Sequence, residues 1–301
     1  MKRLLAIYNS PHVLLLFAVL FWAGNFIVAR LTRSEVPPIG LAFWRWLGAS
    51  ILILGFALSH LKKDWPRIAE NWPTLLLLSA TGVASYAPLA YAGLQHSVAL
   101  NGFLMQSTIP VLVVGISLIL FGDRISLVQL AGIAVSMVGV LGYVVKGDID
   151  ILLSLTLNRG DIYFFSAAVA YSVYSVLLRK RPSIHPLSFL ATTFVPGAAM
   201  LFPLYLWEAV YVRPTLFNSA TIAAVSYTMV FPSIVSYFCF NRGVELIGAN
   251  RAGLFIHLMP IFGGIMAVFF LGESFRWFHG ASAILIGLGI TLTTGIKKKV
   301  R

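Results

Sequence analysis

Charged and strongly polar side chains are costly inside a hydrocarbon layer, so the few that interrupt this chain's apolar runs are its first candidates for chemistry. Arg45 sits in Phe43-Trp44-Arg45-Trp46, Asn25 closes Trp22-Ala-Gly-Asn25, and His257 stands three residues before Pro260. A guanidinium offers a fork of donors to a carboxylate, or equally to helix-end carbonyls near an interface. An amide can hold an amine or a carboxylate, or simply glue two helices together. An imidazole changes charge near neutral pH, or sits buried and satisfied by a neighbouring helix. Tyr86, Tyr91, Tyr171 and Tyr174 add aromatic rings whose hydroxyls need partners wherever they lie deep. Trp22, Asn25, Tyr86, Tyr91, Tyr171, Tyr174 and His257 are therefore expected to bind a small substrate, with Arg45, Pro110 and Pro260 in gating or supporting roles.

Other chemistries lack their residues. All ten Asp and Glu residues fall between apolar runs or at their ends. There is no phosphate-binding loop, no His-Glu-x-x-His and no Gly-x-Ser-x-Gly. Cys239 is the one cysteine, which excludes an intramolecular disulfide and a cysteine metal site. No catalytic residue, metal or cofactor is expected.

The elements that must position these residues are membrane helices. The chain is 59% hydrophobic and 11% charged, with a mean hydropathy of +0.89. Runs long enough to cross a bilayer fall at about 13–30, 38–58, 74–93, 100–121, 127–145, 162–178, 187–208, 219–240, 252–271 and 278–296. The expected fold is an all-α membrane protein of ten transmembrane helices. The first run is read as a helix rather than a cleaved signal, because it contains Trp22 and Asn25 and lacks a small-x-small cleavage site. The patch Ile149–Leu157 is expected to lie in the interface.

The second half repeats the first. Residues 91–142 overlay 241–292 at a constant offset, matching Gly93 with Gly243, Pro110 with Pro260, Gly122 with Gly272 and Asp123 with Glu273. Earlier the offset slips by one, so Trp22 meets Tyr171 and Asn25 meets Tyr174. Five spans per half invert the second copy, giving repeats at 1–150 and 151–301. Two near-equivalent inverted halves can exchange conformations around a shared site, the architecture of secondary transporters. Asn250, Gly253, His257 and Gly264 should share one helical face. Gly132-x-x-x-Ser136 and Ala283-x-x-x-Gly287 should allow close packing, within a monomer or in a weak homodimer.

The net charge of +12 sets orientation. Fifteen Lys and Arg residues flank the spans on the side of the termini, against six on the other side. By the positive-inside rule both termini, Lys62–Arg67, Arg179–Arg181 and Lys297–Arg301 are cytoplasmic. A nucleic-acid partner is excluded, because the charges lie in separate segments rather than one patch. The lipid bilayer and a small-molecule substrate are the expected partners.

These features resemble the drug/metabolite transporter superfamily. Trp22-Ala-Gly-Asn25, Arg45, Pro110 with Phe121-Gly-Asp123, and Pro260 with Leu271-Gly-Glu273 look like its ten-helix EamA-type branch, most of all the YddG-like exporters of aromatic amino acids. The resemblance implies alternating access around a central cavity lined by helices one to four and six to nine, with helices five and ten peripheral. It also implies a plasma (bacterial inner) membrane location. The first helix lacks the embedded Glu of small multidrug-pump relatives, and the scarcity of intramembrane Lys and Arg disfavours phosphorylated cargo. The expected function is export of small neutral metabolites, amino acids with apolar or aromatic side chains foremost. A multidrug exporter of planar compounds and, from another class, a membrane scaffold or lipid-modifying enzyme stay open.

Overall fold

The computed structural model describes residues 6–146, 158–271 and 276–295. The Ile149–Leu157 patch, Gly272–Glu273 and Lys297–Arg301 lie outside them. The described residues are helices and short connections. Among the described residues, nine helices are long and apolar enough to cross a membrane: α1 (Pro11–Leu31), α2 (Pro38–Glu70), α3 (Trp72–His96), α4 (Asn101–Phe121), α5 (Leu127–Val145), α6 (Arg159–Lys180), α7 (Pro186–Tyr211), α8 (Ser219–Ile247) and α10 (Trp277–Thr294). The remaining apolar segment, α9, comes in three pieces: Ala249–Gly253, a 3-10 turn at Leu254–Leu258, and Met259–Leu271.

Packing follows the repeat. α2 lies along its own repeat partner α7, and α5 along its partner α10. The α3–α6 contact has its counterpart in α8–α1, and α4–α6 in α9–α1. Every major interface is thus either self-symmetric or one of a pair, as a pseudo-two-fold axis requires.

At the α5–α10 contact, glycine removes the side chain where backbones meet. A Cβ on Gly132 would collide with the Gly289 carbonyl and the Thr293 hydroxyl, and Gly289 has Gly132 and Ser136 against it. The close approach expected of Gly132 and Ser136 is therefore made within the chain. Its partner surface is Ser282, Ile286, Gly289 and Thr293 rather than Ala283 and Gly287, and Gly287 faces open space. Two small residues four apart mark a face but do not say which rotation of the helix wins.

One further expectation is corrected. Lys62–Arg67 is helical, not a loop: α2 runs for 33 residues, about 50 Å against a hydrocarbon core of about 30 Å. Charged helix formers let it continue past the apolar run. Across the 3-10 turn of α9, Gly253, His257 and Gly264 all face α4 and α5 of the first half: Gly253 meets Val113, His257 meets Ser107 and Ser136, and Gly264 meets Tyr143.

Both halves are broken at matching places. α3 passes through a π-helical segment at Ala80–Ser85 and α8 through one at Met229–Val235. α4 turns at Ser107–Thr108 and restarts with Pro110 in its first turn, and α9 restarts with Pro260 in its first turn. Proline suits that position because the first-turn N–H groups have no intrahelical partner.

Candidate functional site

The π segments release backbone carbonyls toward the centre. Gly82 lies in one π segment and Pro232 in the other, and each carbonyl is held by a side chain of the other half. Tyr237 Oη donates to Gly82 O. Trp22 Nε1 donates to Pro232 O at 3.0 Å and Arg45 Nη2 at 3.2 Å. Helical irregularity in apolar surroundings survives only where such partners satisfy the freed groups.

Around these anchors lies an aromatic hub. Trp22 meets the edge of Tyr171 at 5.3 Å, Tyr86 lies 4.9 Å from Tyr171, and Tyr174 lies 5.5 Å from it. Tyr237 and Phe240 complete the group. Trp22, Tyr86, Tyr171 and Tyr174 are at most 5% exposed, so they pack against one another here.

A polar network adjoins the hub. Tyr91 Oη donates to Asn25 Oδ1 at 2.6 Å. Arg45 donates to Tyr91 Oη at 2.8 Å, Asn25 Oδ1 at 3.3 Å and Ser233 Oγ at 2.5 Å, and its guanidinium lies 4.6 Å from the Trp46 ring. All of these partners are neutral. The carbonyl it binds is one freed by the π segment, not one at a helix end.

His257 lies apart, fully buried between α4 and α5. Its Nε2 donates to Ser107 O at 2.8 Å, since a carbonyl can only accept, and its Nδ1 meets Ser136 Oγ at 2.7 Å. The structure thus joins Trp22, Asn25, Arg45, Tyr91, Tyr86, Tyr171 and Tyr174 into one assembly. His257 sits at the meeting of the two broken helices.

The two ends of the bundle differ. At the end carrying Asp123, Arg179 and Glu245, a cavity of about 910 Å³ opens among α4, α5, α6, α8 and α9. Arg179–Asp123 at 2.8 Å and Arg181–Glu245 at 2.6 Å stand at its edge. At the opposite end the halves are tied together. Glu208 of α7 accepts the Ile39 and Gly40 N–H groups at 3.1 and 2.6 Å, where the positive end of the α2 dipole favours a carboxylate. Arg213 binds the carbonyls of Ser34, Arg33 and Val36 at 2.6, 2.7 and 3.2 Å. Asp161, in the first turn of α6, accepts the N–H of the cap residue Asn158 at 3.0 Å and accepts from Ser97 and Asn101 at 2.9 and 3.1 Å. Sequence reasoning placed these acids at span ends but missed that they are buried ties. For Asp161 the signal was available: it lies three residues after Asn158, the N-cap of α6.

Asn241 was also missed. Tyr174 Oη donates to its Oδ1 at 2.8 Å, and it lines the cavity. Its amide in the charge-free run before Arg242 could have revealed it.

Comparisons with known proteins agree with this architecture. The EamA-like transporter family matches residues 9–145 and again residues 158–295. An uncharacterized transporter of Archaeoglobus fulgidus is 28% identical over 95% of this chain and 98% of its own length. The uncharacterized transporter YyaM of Bacillus subtilis is 26% identical over 95% of this chain and 93% of its own. A protein named "Probable terminal-alkyne amino-acid exporter", from Streptantibioticus cattleyicolor, is 26% identical over 86% of this chain and 84% of its own. One solved crystal structure superposes with a TM-score of 0.75 at 18% identity, covering 95% of this chain and 96% of that one. Two family matches, one in each inverted half, place the chain in the EamA-like transporter family of membrane transporters.

Proposed function

We propose that the protein exports small zwitterionic metabolites, foremost amino acids with apolar or aromatic side chains, by alternating access. The observation that carries this reading is the asymmetry of the two ends. A pseudo-symmetric bundle with matched helix breaks has one end tied by Glu208, Arg213 and Asp161 and the other open to a large cavity. Exchanging the conformations of the two halves would open the tied end and close the other. The positive-inside rule puts the open, basic end in the cytoplasm.

Amino acids are favoured over ions because Arg45, the charge buried in the assembly, already has neutral partners while the rest offers amides, hydroxyls and rings. The relative named an amino-acid exporter supports the same class. The aromatic hub also favours a second reading, planar organic compounds. Bacteria expressing the protein and fed a phenylalanine-containing dipeptide should release phenylalanine faster than control cells. Unchanged release, with faster efflux of a planar dye, would select the second reading.

A further inference from the structure

The chain carries two tyrosine–asparagine pairs related by its inverted repeat, and they are in different states. Asn25 and Tyr91 bond at 2.6 Å, and Tyr174 and Asn241 bond at 2.8 Å. Asn25 is the repeat partner of Tyr174, and Tyr91 that of Asn241, so the residue types are exchanged while the contact is kept. The first pair lies under Arg45, toward the tied end.

The second pair lies at the cavity. Asn241 is 4% exposed, its Oδ1 is taken by Tyr174, and its Nδ2 has no partner. Asn250 lines the same cavity, and its buried Oδ1 has no partner either. Buried amide atoms left unpaired cost about 1–3 kcal/mol each and need an explanation. Here one is a donor and the other an acceptor, in a single cavity of ligand size. Four arginines and two acids line that cavity, giving it a net positive field. Phe121, Val176, Leu178, Val244 and Ile247 supply apolar wall.

The geometry points to a zwitterion site in this vestibule: Asn241 Nδ2 binds the carboxylate, Asn250 Oδ1 the ammonium, and the apolar wall the side chain. This rests on the amino-acid reading above and deepens it by placing first capture outside the aromatic hub. Tyr174 links the two, because it holds Asn241 and packs on Tyr171. Binding at Asn241 thereby reaches the ring cluster that must rearrange when the halves exchange.

The test is equilibrium binding to the purified full-length protein of L-phenylalanine, L-phenylalaninamide and 3-phenylpropionate. Asn241→Asp keeps an oxygen for Tyr174 but removes the donor and adds repulsion. It should weaken phenylalanine and 3-phenylpropionate at least 10-fold, and phenylalaninamide far less. Asn250→Ala should weaken phenylalanine and phenylalaninamide but spare 3-phenylpropionate. Should Asn241→Asp not fold, Asn250→Ala decides, together with protection by phenylalanine of an Ala249→Cys thiol from a maleimide in a Cys239→Ala background. Both variants binding like wild type, with binding lost instead in Tyr171→Ala, would overturn the vestibule site and leave amino-acid export standing. A wild-type protein that binds none of the twenty amino acids would overturn both.

Discussion

Tyr174 donates to Asn241 at 2.8 Å, and this contact is the inverted image of Tyr91 donating to Asn25 at 2.6 Å. A duplicated contact kept with its residue types exchanged shows what the inverted repeat preserves: the bond between two helices rather than either side chain.

That relationship predicts unequal costs for equivalent changes. Asn25→Ala leaves Arg45 and Tyr91 short of a buried acceptor and should destabilise the protein by about 1–3 kcal/mol. Asn241→Ala also frees Tyr174, but beside a cavity that water can enter, so the loss should be smaller. Thermal unfolding in detergent measures both, and equal losses would contradict the asymmetry.

The ties opposite the cavity should set the conformational balance. Glu208→Gln weakens the charge at the α2 N-terminus, and Arg213→Ala frees three carbonyls. Either should raise the maleimide labelling rate of an Ala29→Cys thiol, buried near that end, in a Cys239→Ala background. The effect should be about 5-fold or more for a shift near 1 kcal/mol. Unchanged labelling in both would mean these contacts merely decorate a rigid end.

A pH effect on stability follows from His185. Its Nδ1 accepts the Leu187 N–H at 3.3 Å as the cap of α7, and its ring stacks on His60 at 3.6 Å. Burial and then the neighbouring His60 hold its pKa below 6.5, with Asp64 opposing. A histidine with a lowered folded pKa contributes stability that is present above about pH 6.5 and lost as pH falls below it. The melting temperature should drop on acidification below pH 6.5. In His185→Asn, which can still cap, that drop should shrink; an identical profile would remove His185 as the cause.

Orientation has its own test. Maleimide added from outside the cell should label cysteines placed at Arg33 and Arg213 but not at Lys63 and Lys180. External labelling at position 63 or 180 would refute the assignment of the basic end to the cytoplasm.

How far the sequence was legible depended on what each residue does. The repeat was readable because Gly93, Pro110 and Gly139 sit at close backbone approaches or helix starts and recur at fixed offset as Gly243, Pro260 and Gly289. The aromatic hub was readable because Trp22, Tyr86, Tyr171 and Tyr174 are too polar at one end for a lipid face. The π segments left no comparable mark: Gly82 and Pro232 are ordinary residues of membrane helices until their carbonyls are seen to be held. His257 stood out as the one imidazole in an apolar run, and it sits at the break in α9 on Ser107 and Ser136. A 3-10 turn is too short to announce itself against an apolar run.

The most direct measurement is counterflow in proteoliposomes loaded with unlabelled L-phenylalanine, with equal pH on both sides and the voltage clamped by an ionophore. Among the described residues no carboxylate lies deep in an apolar run, and His257 is taken up by Ser107 and Ser136, so none of them is placed to carry an obligatory proton. The account predicts robust uptake of labelled phenylalanine under these conditions, blocked by excess unlabelled amino acid. Uptake that appears only with a pH gradient, or none for any amino acid, would contradict it.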